Sequence, residues 1–373
     1  NNAVPRFRNI DYMRGLVMAF MAWDHSNFFF SKGGSTVSEM WGGEFPKFDS
    51  AGIFFLRLLT LLCAPTFLFL MTTSMILFSH NRRSAGWSKA KITRYFAIRG
   101  AILVLLQFFV ENPAWNIGFP LALSQVYFGV LYMLGLMMIF CSLILELPSM
   151  YLAIMTTAAV LITPWVVPTP DLWNSNISIL PRILAIPGQT PQVNVLFAPF
   201  PWLGVAGLGL LFGRLLIRVG GKAFSLLLPF GAAALGLFVC LRVLGGHYGS
   251  LNLIPIHEWW SFFYTVKYPP SIAYISLTLG LSSLMLYCFY RLEHSRFARW
   301  LTPFEILGGS ALFFYVAHLF LYAFMGIFMG QKDATLLREA VGWFLGLIIL
   351  IPMCNKYRQF KYLKPAESVW KMF

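Results

Sequence analysis

Three ionisable residues, Arg14, Asp24 and His25, interrupt an apolar stretch near the start of the chain. Ionisable groups inside a membrane-spanning helix cost about 2.5–3.5 kcal/mol each on insertion scales, so they usually mark a functional interior. Eleven positions separate Arg14 from His25. Because this separation is close to three helical turns, both side chains project from one face, roughly 16 Å apart along the axis. The spacing predicts a functional face along this helix.

His25 is the candidate acid–base group or nucleophile of this face, because an imidazole exchanges protons near neutral pH. A lone buried histidine is more often a structural residue bonded to a backbone carbonyl. Here two further ionisable residues, Arg57 and His318, lie within other apolar stretches, which favours function. Adjacent side chains on a helix point about 100° apart. A residue on another helix, such as Arg57, is therefore a more natural partner for Asp24 than His25 is.

Other polar residues give weaker signals. Asp11 and Arg14 are three positions apart and can form a local pair at the cytoplasmic mouth, although a plain structural salt bridge explains the same spacing. Four further residues could either line the same cavity or join helices through hydrogen bonds: Gln107, Glu111, Gln125 and Tyr127.

The composition is that of a polytopic membrane protein. Hydrophobic residues make up 58% of the 373-residue chain and charged residues only 11%, and the mean hydropathy of +0.70 is far outside the soluble range. The positive-inside bias of membrane proteins explains the net charge of +14, so no nucleic-acid partner is predicted. The five cysteines are scattered without the spacing of metal ligands, and no metal site is predicted.

The apolar runs predict an all-α integral membrane protein, one domain over residues 1–373 with a bundle of about ten transmembrane helices. The density of lysine and arginine between residues 79 and 97 marks that connection as cytoplasmic, and the resulting alternation places both termini in the cytoplasm. The third span is expected to end where a Glu-Asn-Pro sequence begins at Glu111. The predicted spans are 12–31, 52–78, 98–110, 121–145, 151–167, 196–217, 224–244, 272–290, 306–329 and 339–353.

Three connections that this topology places outside are longer than a tight turn needs: 32–50, 168–195 and 245–270. Long loops in a compact domain are more often functional than idle. The second is rich in proline and asparagine, which predicts an ordered irregular cap or a short interfacial helix. A polar external cap over the bundle is where a hydrophilic acceptor would enter.

Several motifs along the chain resemble one family of membrane proteins. They are Asp11-x-x-Arg14-Gly-Leu…Asp24-His25, Phe55-x-Arg57-x-x-Thr60-x-x-Cys63-Ala64-Pro65-x-Phe67, Pro201-Trp202-x-Gly204, Lys267-Tyr268-Pro269-Pro270-Ser271 and Phe313-Phe314-Tyr315-x-x-His318. Together they resemble the bacterial relatives of heparan-alpha-glucosaminide N-acetyltransferase. This multi-span family shares the Arg, ten residues, His signature of membrane acyltransferases that modify cell-envelope glycans.

The resemblance implies acyl transfer across a membrane, most simply the bacterial inner (cytoplasmic) membrane. The donor would be cytoplasmic acetyl-CoA or another acyl-CoA, and the acceptor a hydroxyl or amine of a glycan, amino sugar or other envelope molecule on the external side. His25, Asp24 and His318 are the candidate catalytic residues. His25 would deprotonate the acceptor, while His318 or Arg57 would stabilise the oxyanion. Direct transfer is favoured over an acyl-histidine intermediate.

The pantetheine arm of the donor would lie along the face from Arg14 to His25. Its phosphates would be held by Arg14 or by basic loops through charge-assisted hydrogen bonds. Those loop cations include Arg82, Arg83, Lys89, Arg296 and Arg299. The candidate substrate-binding residues are Arg14, Arg57, Asp11, Lys267 and Tyr268. A homodimer is compatible with the sequence.

Two other functions fit part of the pattern. A transporter or flippase would use Asp24, His25 and His318 as a proton relay, and it predicts inverted internal repeats, of which the sequence shows none by eye. A scaffold subunit would use its polar residues only to join helices, but several ionisable groups at membrane depth make that costly.

Overall fold

Helices dominate the chain, and they alternate with short connections and one small sheet. The computed structural model describes residues 3–30, 39–40, 48–117, 125–166, 170–246, 258–329, 335–365, 368 and 370. In these segments the helices are α1 (Arg8–Phe30), α2 (Ala51–Leu61), α3 (Cys63–Ser84), α4 (Lys89–Leu106), α5 (Asn112–Trp115), α6 (Val130–Ile144), α7 (Ser149–Val166), α8 (Ile179–Leu184), α9 (Leu203–Val219), α10 (Leu227–Leu244), α11 (Ile272–Leu292), α12 (Thr302–Gly309), α13 (Ala311–Met329) and α14 (Leu336–Tyr362).

Helix α1 lies at the centre of the bundle and packs against α3, α11, α12, α13 and α14. Its contact with α12 is close because both helices carry glycine at the crossing. A Cβ on Gly15 would overlap the carbonyl of Phe304, and one on Gly308 would overlap the carbonyl of Asp11. Small residues that let two backbones approach are typical of helix packing in membranes. The crossing fixes the part of α1 that carries Arg14.

Seven helical segments of the described chain are long and apolar enough to cross a membrane. They are Ala51–Ser84, Lys89–Trp115, Ser149–Val166, Phe200–Leu244, Ile272–Leu292, Ala311–Phe328 and Leu336–Tyr362. Helix α1 is not among them, and α6 is a shorter apolar helix. The protein is therefore a multi-pass helical membrane protein. A helix lies at each of the ten predicted spans, but the ten crossings and the cytoplasmic termini stay predictions.

The Glu-Asn-Pro sequence predicted that the third span ends at Glu111, but the helical segment continues past this residue. The helix widens into a π-helical turn, Gln107–Glu111, and continues through α5. In this turn the Asn112 N–H donates to the carbonyl of Gln107, five residues back. Proline lacks the N–H that an α-helix needs and clashes with the carbonyl four residues earlier. The wider turn accommodates Pro113, so the segment extends to Trp115.

A small sheet accompanies the helices, which the all-α prediction did not include. Its strands are β1 (Val126–Phe128), β2 (Gly188–Gln189) and β3 (Val193–Val195), in the order β1-β3-β2. Strand β3 runs parallel to β1 and antiparallel to β2. Strands β2 and β3, together with α8, make the described part of the 168–195 connection an ordered cap, as predicted. Strand β1 instead lies within the predicted span 121–145, whose helix begins only at Val130.

The Arg182 side chain holds the cap together from inside. It is fully buried, and its guanidinium donates to the carbonyls of Leu172, Ser175 and Pro187 at 3.0, 2.6 and 2.9 Å. Buried charged donors persist where such carbonyls satisfy them. The cap is thus an ordered element of the bundle.

Candidate active site

One cavity of about 1140 Å³ lies along α1. Arg14 lines one end of it and His25 the other, and the three helical turns between them span roughly 16 Å. We call the first end the basic mouth and the second the histidine chamber. The functional face predicted from the spacing of these two residues therefore borders a single continuous space.

The basic mouth is built around Asp11 and Arg14. The Arg14 guanidinium donates to Asp11 Oδ1 at 2.9 Å, to Ser74 Oγ at 3.0 Å and to the Gly308 carbonyl at 3.2 Å. The Arg6 Nε donates to the other Asp11 oxygen at 2.8 Å. The predicted pair of Asp11 and Arg14 is therefore present. It fixes the Arg14 side chain at the cavity wall.

Further cations make this end strongly positive. Arg99 and Lys361 line the same cavity as Arg6 and Arg14, against the single carboxylate of Asp11. The buried Arg99 Nε has no hydrogen-bond partner among the described residues. Such an arrangement suits a ligand with several phosphate oxygens. The cations predicted from basic loops are not among the described lining residues: Arg82, Arg83, Lys89, Arg296 and Arg299.

The histidine chamber contains a pair of imidazoles from two helices. His25 Nδ1 lies 2.7 Å from His318 Nε2, and His318 Nδ1 lies 3.0 Å from the Phe314 carbonyl. A carbonyl only accepts, so His318 Nδ1 carries a proton and, in the neutral ring, Nε2 is the acceptor. His25 Nδ1 must then be the donor. This assignment from the hydrogen-bond network leaves His25 Nε2 with a free lone pair.

Asp24 does not pair with the histidine beside it. Its carboxylate contacts the Arg57 guanidinium of α2, as the argument from side-chain directions predicted. Arg57 also donates to both carboxylate oxygens of Glu39, at 3.0 and 2.8 Å, and to Thr60 Oγ1 at 3.3 Å. The Arg57 donors are thus shared among neighbouring protein oxygens. This arrangement leaves His318 as the hydrogen-bond partner of His25.

Glu39 also connects this network to the chain that precedes α11. The backbone N–H groups of Lys267 and Tyr268 donate to the Glu39 carbonyl at 2.8 and 3.1 Å. The Lys267 ammonium lies 5.0 Å from the centre of the Tyr268 ring and 5.6 Å from that of Phe197. Burial, followed by the repulsion of Arg57, lowers the pKa of Lys267. Lys267 and Tyr268, both buried, line the cavity.

The opposite wall of the chamber comes from the π-helical turn and α5. The Trp115 ring packs edge-on against the His25 ring, with 4.8 Å between centroids, and its Nε1 donates to Glu111 Oε1 at 3.1 Å. The sequence left open whether Glu111, Gln125 and Tyr127 line the cavity or join helices. All three line the cavity.

Gln107 fits the other interpretation. Its side chain donates to Asn112 Oδ1 at 3.1 Å and accepts from the Tyr132 N–H at 3.3 Å. It therefore joins neighbouring segments.

Most residues of this site are among those predicted from the sequence. The predicted residues that line the cavity are Asp11, Arg14, Asp24, His25, Arg57, Lys267 and Tyr268. His318 lies behind the wall, fully buried, in contact with His25. Glu39 and Arg99 were missed. Arg99 is an arginine inside a predicted span, which is a usable signal. Glu39 lies in a predicted external connection and gives none.

The fold and this cavity define a class of protein: a multi-pass helical membrane protein with an internal site that joins a cationic entrance to an acid–base group. A family model described as heparan-alpha-glucosaminide N-acetyltransferase, catalytic, matches residues 6–248, which is more than half of the chain. The chain therefore belongs to this family of membrane acetyltransferases. A search of curated protein sequences finds no match to it. Lys267, Tyr268 and His318 lie beyond the matched residues.

Proposed function

We propose that the protein transfers an acyl group, most simply acetyl, from acyl-CoA to a hydroxyl or amine on the other side of the membrane. The acceptor would be a glycan, amino sugar or other envelope molecule of a bacterial cytoplasmic membrane. The observation that carries the proposal is the single cavity that joins the basic mouth to the unprotonated Nε2 of His25.

The basic mouth suits the phosphates of the donor. Phosphate oxygens form charge-assisted hydrogen bonds with arginine, and Arg14 is already held in place by Asp11, Ser74 and the Gly308 carbonyl. The pantetheine arm would then follow α1 toward His25. The thioester would reach the histidine chamber, and the acceptor would enter from the side of the cap.

The acceptor nitrogen or oxygen would attack the thioester carbonyl carbon while its proton moves to His25 Nε2. A new C–N or C–O bond forms and the C–S bond breaks. The proton then passes from His25 to the departing thiolate, which leaves as free CoA. This is general base and then general acid catalysis by one imidazole, by direct transfer. His25 is regenerated in its starting state.

The neighbouring residues support these steps in different ways. His318 would orient His25 and stabilise its protonated form through the 2.7 Å hydrogen bond. The sequence suggested His318 as a donor to the oxyanion. Because His318 Nε2 accepts the hydrogen bond from His25, it is not free to donate to the oxyanion. Asp24 and Arg57 are engaged with each other and would support the chamber wall. Lys267 is the better candidate for stabilising the oxyanion electrostatically.

The proposal is tested with the purified protein in detergent, by calorimetry with acetyl-CoA and by CoA release with a panel of sugar and amino-sugar acceptors. We expect His25→Ala to lower kcat by about 10²–10⁴-fold and to leave the affinity for acetyl-CoA unchanged, because His25 does not lie at the basic mouth. His294→Ala, an exposed histidine outside the described cavity lining, is the matched control.

Two outcomes would contradict the proposal. Absence of acetyl-CoA binding by the wild-type protein would favour a transporter, for which movement of a substrate without any acyl donor is the expected activity. Full activity of a folded His25→Ala variant would remove His25 from the reaction.

A further inference from the structure

Glu111 is a buried carboxylate with one unused oxygen in the wall of the cavity. Only 2% of its surface is exposed, and its side chain lines the cavity. Oε1 accepts from Trp115 Nε1 at 3.1 Å, whereas Oε2 has no hydrogen-bond partner among the described residues. An unsatisfied buried oxygen is costly. It is therefore a natural place for a donor that arrives with a substrate.

The electrostatic surroundings of Glu111 support this view. The neighbours that could donate hydrogen bonds to it are neutral: Trp115, Tyr315 and Gln107. Of these three, only Trp115 makes a hydrogen bond of normal geometry to the carboxylate. Its carboxylate forms no ion pair with any described residue. By contrast, the Asp24 and Glu39 carboxylates of the same chamber region both pair with Arg57. Among the buried oxygens of these carboxylates, Glu111 Oε2 is the one without a hydrogen-bond partner among the described residues.

The position of Glu111 depends on the π-helical turn. A π-helical turn places one extra residue in the helix, which rotates the following side chains by about 100° relative to a regular α-helix. Such turns are frequent at functional sites. Here the turn ends at Glu111 and directs it to the cavity, while Gln107 at its start joins neighbouring segments.

Glu111 is also connected to the reacting histidine. The Trp115 indole donates to Glu111 through its nitrogen and packs against His25 with its ring, 4.8 Å between centroids. Tyr315 is a second link, since its side chain lies beside the Glu111 carboxylate and its ring lies 6.5 Å from the His25 ring. The free oxygen of Glu111 and the free nitrogen of His25 therefore belong to one chamber.

We propose that Glu111 is an acceptor-binding residue, whose free carboxylate oxygen accepts a hydrogen bond from an N–H or O–H group of the acceptor and holds it beside His25. The inference rests on the proposed function and adds to it a residue that contacts the acceptor and not the donor. Glu111 takes no proton in the reaction. Its task is to hold the acceptor through a second N–H or a neighbouring O–H, so that the transferred proton of the nucleophile faces His25 Nε2.

The experiment compares Glu111→Ala and Glu111→Gln with the wild type, using glucosamine as the amine probe and N-acetylglucosamine as the hydroxyl probe. KM is measured separately for the acceptor and for acetyl-CoA. We expect Glu111→Ala to raise the acceptor KM about tenfold or more and to leave the KM for acetyl-CoA within about twofold. A merely structural role would not separate the two values. Glu339→Gln, a buried carboxylate outside the described cavity lining, is the matched control.

The glutamine variant reports which kind of donor binds. An equally raised acceptor KM in Glu111→Gln would show that the negative charge is needed, as for an ammonium group. Recovery in Glu111→Gln would show that a neutral hydrogen bond suffices, as for a hydroxyl. Both results support the inference.

Three results would overturn it. These are an unchanged acceptor KM in both variants, an equal rise of both KM values, and loss of acetyl-CoA binding in both variants. A wild-type protein that binds acetyl-CoA but acetylates neither probe would instead refute the proposed function, and this inference with it.

Discussion

The two ends of the cavity use different kinds of interaction. At the basic mouth, Arg6 and Arg14 meet one carboxylate, and the Arg6 side chain is 63% exposed. In the histidine chamber, His318 and Glu111 are almost completely buried. Arg57 forms ion pairs in the chamber wall, but the contacts of His25 with His318 and of Trp115 with Glu111 are directional hydrogen bonds between single atoms. Charge at an accessible entrance attracts a polyanion from many directions. Buried hydrogen bonds instead fix one orientation.

The difference suggests a division of labour. The mouth would determine how tightly the donor binds, and the chamber would determine how fast it reacts. Substitutions at the mouth should then change affinity with little effect on kcat, and substitutions in the chamber should do the reverse. Each variant below tests this separation.

The largest of these effects is expected for His318. His318→Phe keeps a ring of similar size but removes the acceptor for His25 Nδ1, so His25 is free to adopt another tautomer or orientation. We expect kcat to fall about 10²-fold or more, with acetyl-CoA affinity unchanged in calorimetry. His318→Gln, which retains an acceptor oxygen, should recover part of the activity.

Equal activity of the phenylalanine and glutamine variants would contradict this role for His318. So would a loss of acetyl-CoA binding in both, because the effect would then come from the fold.

A smaller effect is expected at the mouth. Arg14→Ala removes a donor to phosphate, and hydrogen bonds to charged groups contribute about 1.5–3 kcal/mol, so acetyl-CoA affinity should fall about 10–100-fold. Calorimetry measures this change, and kcat at saturating donor should stay near the wild-type value. Arg83→Ala removes a cation that pairs with Glu146 at 3.9 Å and does not line the described cavity. It should bind acetyl-CoA normally. An Arg14→Ala variant with unchanged affinity but reduced kcat would break the comparison between the two ends.

Local regularity explains what could be predicted from the sequence. Arg14 and His25 share a face because both lie on one helix, where the angle between residues is fixed. Arg57 could be predicted as the partner of Asp24, because the adjacent His25 side chain points about 100° away on the same helix. By contrast, the hydrogen bond between His25 and His318 joins residues 293 positions apart. Helical spacing indicated that both were functional but not that they touch.

Irregular segments account for what was missed. The strands β2 and β3 contain two and three residues, too few for alternation to be detected. Glu39 lies in a predicted connection, where no helical or strand periodicity indicates which side chains face the site. At Glu111 the proline signal was interpreted as the end of a span, whereas the π-helical turn absorbs it. The π-helical turn, which made the predicted end of the third span wrong, also carries the candidate acceptor-binding residue Glu111.

The smallest effect is expected for Lys267. Its variants test whether positive charge in the chamber acts on the reaction rate, in contrast to the charge at the mouth, which is expected to act on donor binding. Because burial and Arg57 lower its pKa, its ammonium is lost at a lower pH than that of an exposed lysine, and activity should decline on the basic side. Arginine stays protonated to higher pH. Lys267→Arg should therefore move the basic limb of the kcat profile upward by about one pH unit or more, and Lys267→Met should lower kcat and abolish that limb. A basic limb at the same pH in the wild type and in Lys267→Arg would exclude Lys267 as the titrating group. A shift seen only in acetyl-CoA affinity would mean that charge in the chamber, like charge at the mouth, acts on donor binding.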